Sequence, residues 1–248
     1  MDTQELIEEL RSTSSPDRDL QQKIAAGGDE VIAQLEPLLA DSSIIVREAA
    51  ADVLELIGTD AAYNTLVDFA LRHLEDPSHQ TKLPGPGWQR LRRIGVPVLA
   101  AMTRRYDSSL PFDTRLAMIF IAQQIGDPAG RPLVDRALNE VDGRLVEAAA
   151  EALGVVDGPG AFERLVQLLQ SNEVGAIRGL KLLGDQAAVR PLFEALASPD
   201  QTISHWGASA GMPASRRDLI LDAIDSLAGE SFNGDANRIR EWLEKHSR

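Results

Sequence analysis

Three groups of side chains in this 248-residue chain have types and spacings that could do chemistry. The first is Gly207-Ala-Ser-Ala-Gly211, with His205 just before it, which matches the G-x-S-x-G spacing of a nucleophile elbow. Such an elbow works because a strained strand-to-helix turn lifts the serine above a sheet. The flanking sequence has no alternating strand run, so nothing would raise Ser209, and small-residue packing accounts for the pattern. The second group, His73, Asp76 and His79, has loose metal-ligand spacing at the end of a helical stretch. Pro77 breaks the face the three would share, and a histidine in a last helical turn is favoured by the helix dipole alone. We therefore expect no catalytic residue, no metal site and no cofactor. The third group is arginine beside tryptophan. Trp88 precedes Arg90, Arg92 and Arg93, with Arg104 and Arg105 following, and His205-Trp206 precedes Arg216-Arg217. Tryptophan next to clustered arginine can stack on a base or hold a phosphate or carboxylate. The competing reading is solvated helix ends that pair with nearby carboxylates.

Net charge favours that competing reading. There are 25 basic and 38 acidic residues, so 25 − 38 = −13. A broad interface with nucleic acid or an anionic membrane needs cationic patches, so both are disfavoured. The absence of cysteine excludes disulfides, thiolate zinc sites and a cysteine nucleophile. The longest apolar run, Leu116 to Ala122, is seven residues, far short of a membrane span. The opening Met1-Asp2-Thr3 and the acidic stretch Glu5 to Glu9 do not read as a signal peptide, and a cytoplasmic location is expected.

The elements that must position these residues are helical and repeated. A helical stretch ending in Leu or Ile, then Gly, recurs at Gly58, Gly95, Gly126, Gly154 and Gly184, with spacings of 37, 31, 28 and 30. A period near 30 with helical flanks predicts stacked helical hairpins, each stopped by a glycine that takes the left-handed conformation without penalty. First helices carry stripes such as Val31, Leu35, Leu38 and Leu39, or Phe162, Leu165 and Leu169, or Val189, Leu192, Phe193 and Leu196. Second helices are rich in alanine, as in Arg47 to Gly58, where Ala49, Val53 and Leu56 share a stripe.

Gly184 to Asp200 (Gly-Asp-Gln-Ala-Ala-Val-Arg-Pro-Leu-Phe-Glu-Ala-Leu-Ala-Ser-Pro-Asp) resembles one half of the HEAT-like repeat named after phycobilisome lyases, and Ile45-Val46-Arg47 to Gly58 resembles the other. The resemblance covers roughly residues 30–230. It implies an all-α, right-handed solenoid, an armadillo-like superhelix of about six or seven hairpins. The family's turn often pairs Asp with an Arg six residues on. Asp41 and Arg47 have that spacing, but Arg115 has Ser109 there, so the ladder is incomplete. The fold hosts scaffolds, lyase subunits, hydroxylases and DNA-repair enzymes, so it leaves function open. The iron hydroxylases carry His-Glu pairs, and no His-Glu dipeptide occurs here. The alkyl-DNA glycosylases need a positive concave face, whereas the matching helices here carry Glu48, Asp52, Glu55, Glu147 and Glu151 against Arg178 and Lys181.

The repeat breaks at His79 to Gly87, where two prolines and two glycines in four residues cannot be helix, so the following helix shortens to about Trp88–Ile94. It breaks again at Ser204 to Ser215. There, either Ile203–Ala210 is a short second helix, the reading we lean to, or the stretch is a loop and Arg217–Leu227 is that helix. Insertions of this kind sit on rims that often bind. The segment Arg115 to Gly126 is apolar nearly all round, with Leu116 and Phe120 where other repeats place Glu48 and Asp52, so it is either buried on every side or offers an apolar patch to a partner. We expect one repeat domain over residues 1–248, capped by helices within 1–28 and 233–248.

These features lead to an expected function: a non-catalytic, protein-binding scaffold or adaptor acting through a concave face, with a partner protein that is basic. Candidate ligand or partner contacts are Trp88, Arg90, Arg92, Arg93, Leu116, Phe120, His205, Trp206, Arg216 and Arg217. The alternative implied by the resemblance is a phycobilin lyase-like subunit or chaperone that holds a linear tetrapyrrole, with the tryptophans as walls and the arginines as carboxylate clamps. A glycosylase-like role is a further alternative that the charge disfavours.

Overall fold

The computed structural model describes residues 2–74, 86–171, 174–197 and 215–246. Every regular element among them is helical. The chain divides into two compact units, residues 1–121 and 122–248, and the division falls within one helix.

The first unit contains α1 (Thr3–Ser12), α2 (Arg18–Ala25), α3 (Ile32–Leu35), α4 (Ile44–Ile57), α5 (Asp60–Leu74), α6 (Pro86–Ile94), α7 (Pro97–Arg105) and most of α8 (Phe112–Ile125). Local signals set the helix ends. Asp17 Oδ1 accepts from Leu20 N at 2.8 Å and caps α2, and α4 stops at Gly58, whose φ is +67°. On α4 the buried side chains are Val46, Ala49, Ala50, Ala51, Val53 and Leu54. Leu56, expected in that stripe, is 38% exposed, and Leu54 takes its place at the core. Leu10, Ile24, Leu35, Leu66, Leu91, Leu99, Met102, Met118 and Ile119 complete the interior. The amphipathic α1 and α2 bury Leu6, Ile7, Leu10, Leu20 and Ile24.

Arg47 does not pair with the Asp41 carboxylate, as its six-residue spacing had suggested. Its Nη1 donates to the backbone carbonyls of Asp41 and Ser42, at 2.6 and 3.0 Å. The Asp41 carboxylate instead accepts from the Ser43 backbone N–H and pairs with Arg11 at 3.4 Å. The backbone hydrogen bond from Ser43, aided by Arg11 and opposed by partial burial, lowers the Asp41 pKa below the ordinary carboxylate value.

The second unit contains α9 (Arg131–Ala137), α10 (Gly143–Val156), α11 (Ala161–Gln170), α12 (Val174–Leu183), α13 (Val189–Ala195), α14 (Arg216–Ala228) and α15 (Ala236–His246). Gly154, expected to stop its helix, lies inside α10, which runs on to Val156; the chain turns at Asp157 and Gly158, with φ of +49° and +104°. Close packing accounts for Gly154. A Cβ there would lie 2.0 Å from the carbonyl oxygen of Gly179, one on Gly175 would lie 2.1 Å from that of Glu147, and one on Gly179 would lie 2.4 Å from that of Ala150. Backbone therefore meets backbone between α10 and α12. Position 175 lies at 147 and position 179 at 150 and 154, so the two helices run in the same direction about one repeat period apart.

The next neighbour of α12 is α14, to which it is joined by Lys181 Nζ–Asp222 Oδ2 at 2.7 Å. Helix α14 begins at Ser215, whose side chain accepts from Asp218 N–H in a capping box. Helix α14 covers the Arg217–Leu227 span named in the second of the two readings; residues 203–210, on which the first reading turns, lie outside the described residues. The terminal α15 buries Ile239 and Trp242.

Candidate functional site

Helix α6 begins at Pro86, so Pro86 and Gly87, expected to be non-helical, lie in its first turn, where a proline is tolerated because its missing N–H would have no helical partner; two hydrophobic anchors seat the helix: Trp88, 1% exposed, and Leu91, fully buried. With those facing inward, Arg90 falls against α4. A stripe of Glu48, Asp52 and Glu55, spaced four and three residues apart, puts three carboxylates on one face of that helix. Arg90 sits among them. Its Nη1 donates to Asp52 Oδ1 at 2.6 Å and Glu55 Oε2 at 2.9 Å, and its Nη2 donates to Glu48 Oε2 at 2.6 Å. The Arg90 side chain is 7% exposed, while the carboxylates are 38, 40 and 32% exposed. Burial by itself would lower the Arg90 pKa, but hydrogen bonds and charge from Asp52 and Glu48 outweigh it and hold the guanidinium above its ordinary value. Gln21 of α2 donates to Asp52 from the other side at 3.3 Å.

Beside this cage lies a cleft of about 460 Å3 lined by Glu48, Gln89, Arg90, Arg92 and Arg93. Gln89 and both outer arginines are exposed. Arg93 Nη2 donates to Glu55 at 2.7 Å, so its guanidinium is anchored at the wall.

The second unit repeats the pattern in reduced form. Arg178 of α12 donates to Glu147 at 3.0 Å and Glu151 at 3.5 Å, both on α10, and Gln123 donates to Glu151 at 3.3 Å. In the first unit, Arg105 of α7 makes a two-pronged pair with Asp68 of α5 at 2.6 and 2.5 Å, and Arg104 reaches Asn64. Carboxylates on one helix are thus met by cations or amides one hairpin away.

The sequence-derived candidates separate on this geometry. Arg90, Arg92 and Arg93 are brought together, although Arg90 is turned into the carboxylate cage. Trp88 is buried beneath them and offers no ring to the cleft. Leu116 is 9% exposed and Phe120 is 45% exposed on a helix whose Met118, Ile119, Ile121 and Ala122 are buried, so α8 is mostly core with one aromatic at the surface. In the second unit Arg216 is 2% exposed and donates through Nη1 to the Ala195 carbonyl at 3.1 Å, while Arg217 is exposed. His205, Trp206 and the G-x-S-x-G segment lie outside the described residues, as do Asp76 and His79. Among the described residues no cluster of three His, Cys, Asp or Glu side chains is arranged to hold a metal, and no helix is long and apolar enough to cross a membrane.

Glu48, Asp52, Glu55 and Gln89 were not among the candidates. The signal was available in the i, i+4, i+7 acidic stripe and the arginine cluster that begins 35 to 42 residues later, but it required knowing that α4 and α6 are neighbours. The chain matches no protein-family model and no curated protein, so its chemistry is read from these residues alone.

Proposed function

We propose that the protein is a non-catalytic, protein-binding scaffold, built as a single HEAT-like right-handed solenoid of stacked hairpins. The observation that carries this reading is the Arg90 cage with its adjoining cleft. Ionisable side chains on α4, α6, α10 and α12 are spent on fixing one helix against the next, which gives a rigid surface of paired charge. A rigid surface loses little conformational freedom when a partner binds. The parallel run of α10 beside α12, one repeat period apart, supports the stacked-hairpin arrangement. The net charge of −13 speeds encounter with a basic partner at long range. Contact specificity comes from a mixed-charge surface, because Arg90 and Arg178 already answer the most concentrated carboxylates.

The test is affinity capture from the native host with the full chain as bait, followed by calorimetry with each recovered protein made pure. A saturable one-to-one complex supports the reading. Recovery of a co-purifying small molecule and no binding protein overturns it. A tetrapyrrole-holding role keeps Arg92 and Arg93 as carboxylate clamps but loses the Trp88 wall, because that indole is buried. An unchanged visible spectrum on mixing with bilin dismisses it.

A further inference from the structure

Among the described residues, Asp157 and Asn233 take a positive φ without being glycine, at +49° and +52°, and each is followed by a glycine. Asp-Gly and Asn-Gly pairs share one reaction. The glycine nitrogen, with no Cβ beside it to hinder approach, attacks the side-chain Cγ and closes a five-membered succinimide ring. The ring closes only where that nitrogen lies alongside Cβ about the Cα–C bond. Substituents on Cα stand about 120° apart, and for an L residue this eclipsing falls at ψ of about −120°. Asp157 has ψ of −151°, within about 30° of that value. Asn233 and Gly234 instead form the centre of a type I′ turn, closed by the Asp235 N–H donating to the Phe232 carbonyl at 3.0 Å. The first central residue of such a turn has ψ of about +30°, which turns the Gly234 nitrogen away from Cβ. Both side chains belong to exposed residues, so backbone shape and not access separates the two sites.

The Asp157 geometry is pinned on both sides of its peptide bond. The Asp157 N–H donates to the Leu153 carbonyl at 3.0 Å, and the Gly158 carbonyl accepts from the Ala161 N–H at 3.1 Å. Arg131 Nη1 donates to the carbonyls of Asp157 at 3.3 Å and Pro159 at 3.4 Å, while its Nε is held by Asp135 at 2.8 Å. A residue with a Cβ keeps this φ, ψ combination only where its surroundings impose it. The folded chain therefore holds continuously an arrangement that a free chain samples briefly.

We infer that Asp157–Gly158 is a self-modification site that converts to isoaspartate. The Gly158 nitrogen bonds to Cγ of the Asp157 carboxylic acid and gives up its proton, and the acid's hydroxyl leaves with that proton as water. A second water opens the ring at either carbonyl. Opening at the main-chain carbonyl breaks its bond to the Gly158 nitrogen, so the chain runs on through Cγ and the old backbone carbonyl becomes a free carboxylate. One water leaves and one returns, and nothing is oxidised or reduced. Arg131 Nη1 already touches the oxygen of that main-chain carbonyl. It stabilises the charge that develops there on opening and pairs with the carboxylate that results. The product lengthens the α10–α11 turn by one main-chain carbon and fixes a new negative charge beside Arg131.

The experiment incubates the folded full chain in 18O-enriched water beside two end-capped peptides, Val155–Ala161 and Ser231–Asn237. Digests are read by mass spectrometry with electron-transfer fragmentation, which separates the two linkages. Each ring opening leaves one labelled oxygen on the residue, whichever carbonyl is attacked. Label is expected to enter residue 157 at least about tenfold faster in the folded chain than in its peptide, the ratio for a conformer that a free chain visits about one time in ten. Label at residue 233 is expected to enter more slowly in the folded chain than in its peptide. The isoaspartate share at 157 should exceed the peptide's, and Arg131→Gln should lower both rate and share towards the peptide values. If that variant loses its near-UV circular dichroism, Arg131→Lys replaces it; the wild-type comparison needs no substitution. Label entering residue 157 no faster in the folded chain than in the peptide, or an equal acceleration at residue 233, overturns the assignment. An unchanged isoaspartate share in the folded Arg131 variant overturns the role given to Arg131.

Discussion

Arg90→Met keeps an apolar stem of comparable length and deletes the guanidinium, which leaves Glu48, Asp52 and Glu55 facing one another. Three ionic contacts at 2.6, 2.6 and 2.9 Å are lost around a side chain that is 7% exposed. Hydrogen bonds to charged groups contribute about 1.5–3 kcal/mol each, and removing one partner of a buried ion pair costs about 3–5 kcal/mol. The three carboxylates are between 32 and 40% open to water, so solvation returns part of that loss, and pairs exposed to that degree contribute only about 0–1 kcal/mol each. Weighing the buried cation against its wet partners gives a net cost of about 2–3 kcal/mol, or a fall in Tm of about 5–10 °C for a chain of this size. Urea unfolding followed by circular dichroism measures the cost, and amide exchange on α4 and α6 locates it. The decisive control adds Glu48→Gln, Asp52→Asn and Glu55→Gln to Arg90→Met. With no like charges left facing each other, that variant should recover at least about half of the loss. An Arg90→Met protein within about 0.5 kcal/mol of wild type, or a quadruple variant no more stable than the single one, would refute the cage.

Three further outcomes follow from the packing and the turns. Gly154→Ala places a Cβ 2.0 Å from the Gly179 carbonyl oxygen and forces α10 and α12 apart, at a cost of about 3 kcal/mol or more by thermal unfolding; Gly143→Ala, at the open start of α10, should be neutral or stabilising by up to about 1 kcal/mol. Met118→Ala, at a fully buried site on α8, should cost about 2–5 kcal/mol, whereas Phe120→Ala on the same helix should cost less than about 1 kcal/mol in the same unfolding assay. Asp41 and Asp107 both have lowered folded-state pKa values, the first from the Ser43 backbone N–H and Arg11, the second from the Ser109 hydroxyl and backbone N–H. Their contribution is therefore complete above the ordinary Asp value of about 4 and is lost as pH falls through the lower folded values. Carbon-detected titration should find both midpoints below about 4, and Asp41→Asn should flatten the acid limb of the stability curve below about pH 4.

The helices were legible because their signals are local. Stripes such as Val31, Leu35, Leu38 and Leu39, and stops such as Gly58, act within one or two turns; α4 stops at Gly58 as expected but starts three residues earlier, at Ile44, and α6 starts two residues earlier, at Pro86. Gly154 was misleading because a glycine that ends a helix and a glycine that admits a neighbouring backbone have the same sequence appearance. Leu56 was misleading because the stripe drifts at the end of α4, where Leu54 faces the core. The candidate site was half legible. The cluster after Trp88 marked the right helix, but the inward turn of Arg90 depends on α4, more than 30 residues away, and pairing across that distance leaves no local pattern. Arg47 shows the same limit, since its six-residue spacing to Asp41 brings its guanidinium to the backbone carbonyl and not to the carboxylate.

Photocrosslinking from position 89 in the native host bears most directly on the idea that this is a binding module with its contact at α6. A benzophenone side chain at Gln89 sits in the cleft, and one at the exposed Arg136 on α9 serves as the control. One discrete protein adduct from position 89, absent from position 136 and lost when Arg92 and Arg93 are both changed to Gln, is the expected result. No protein adduct at position 89, or the same set of adducts from both positions, would contradict it.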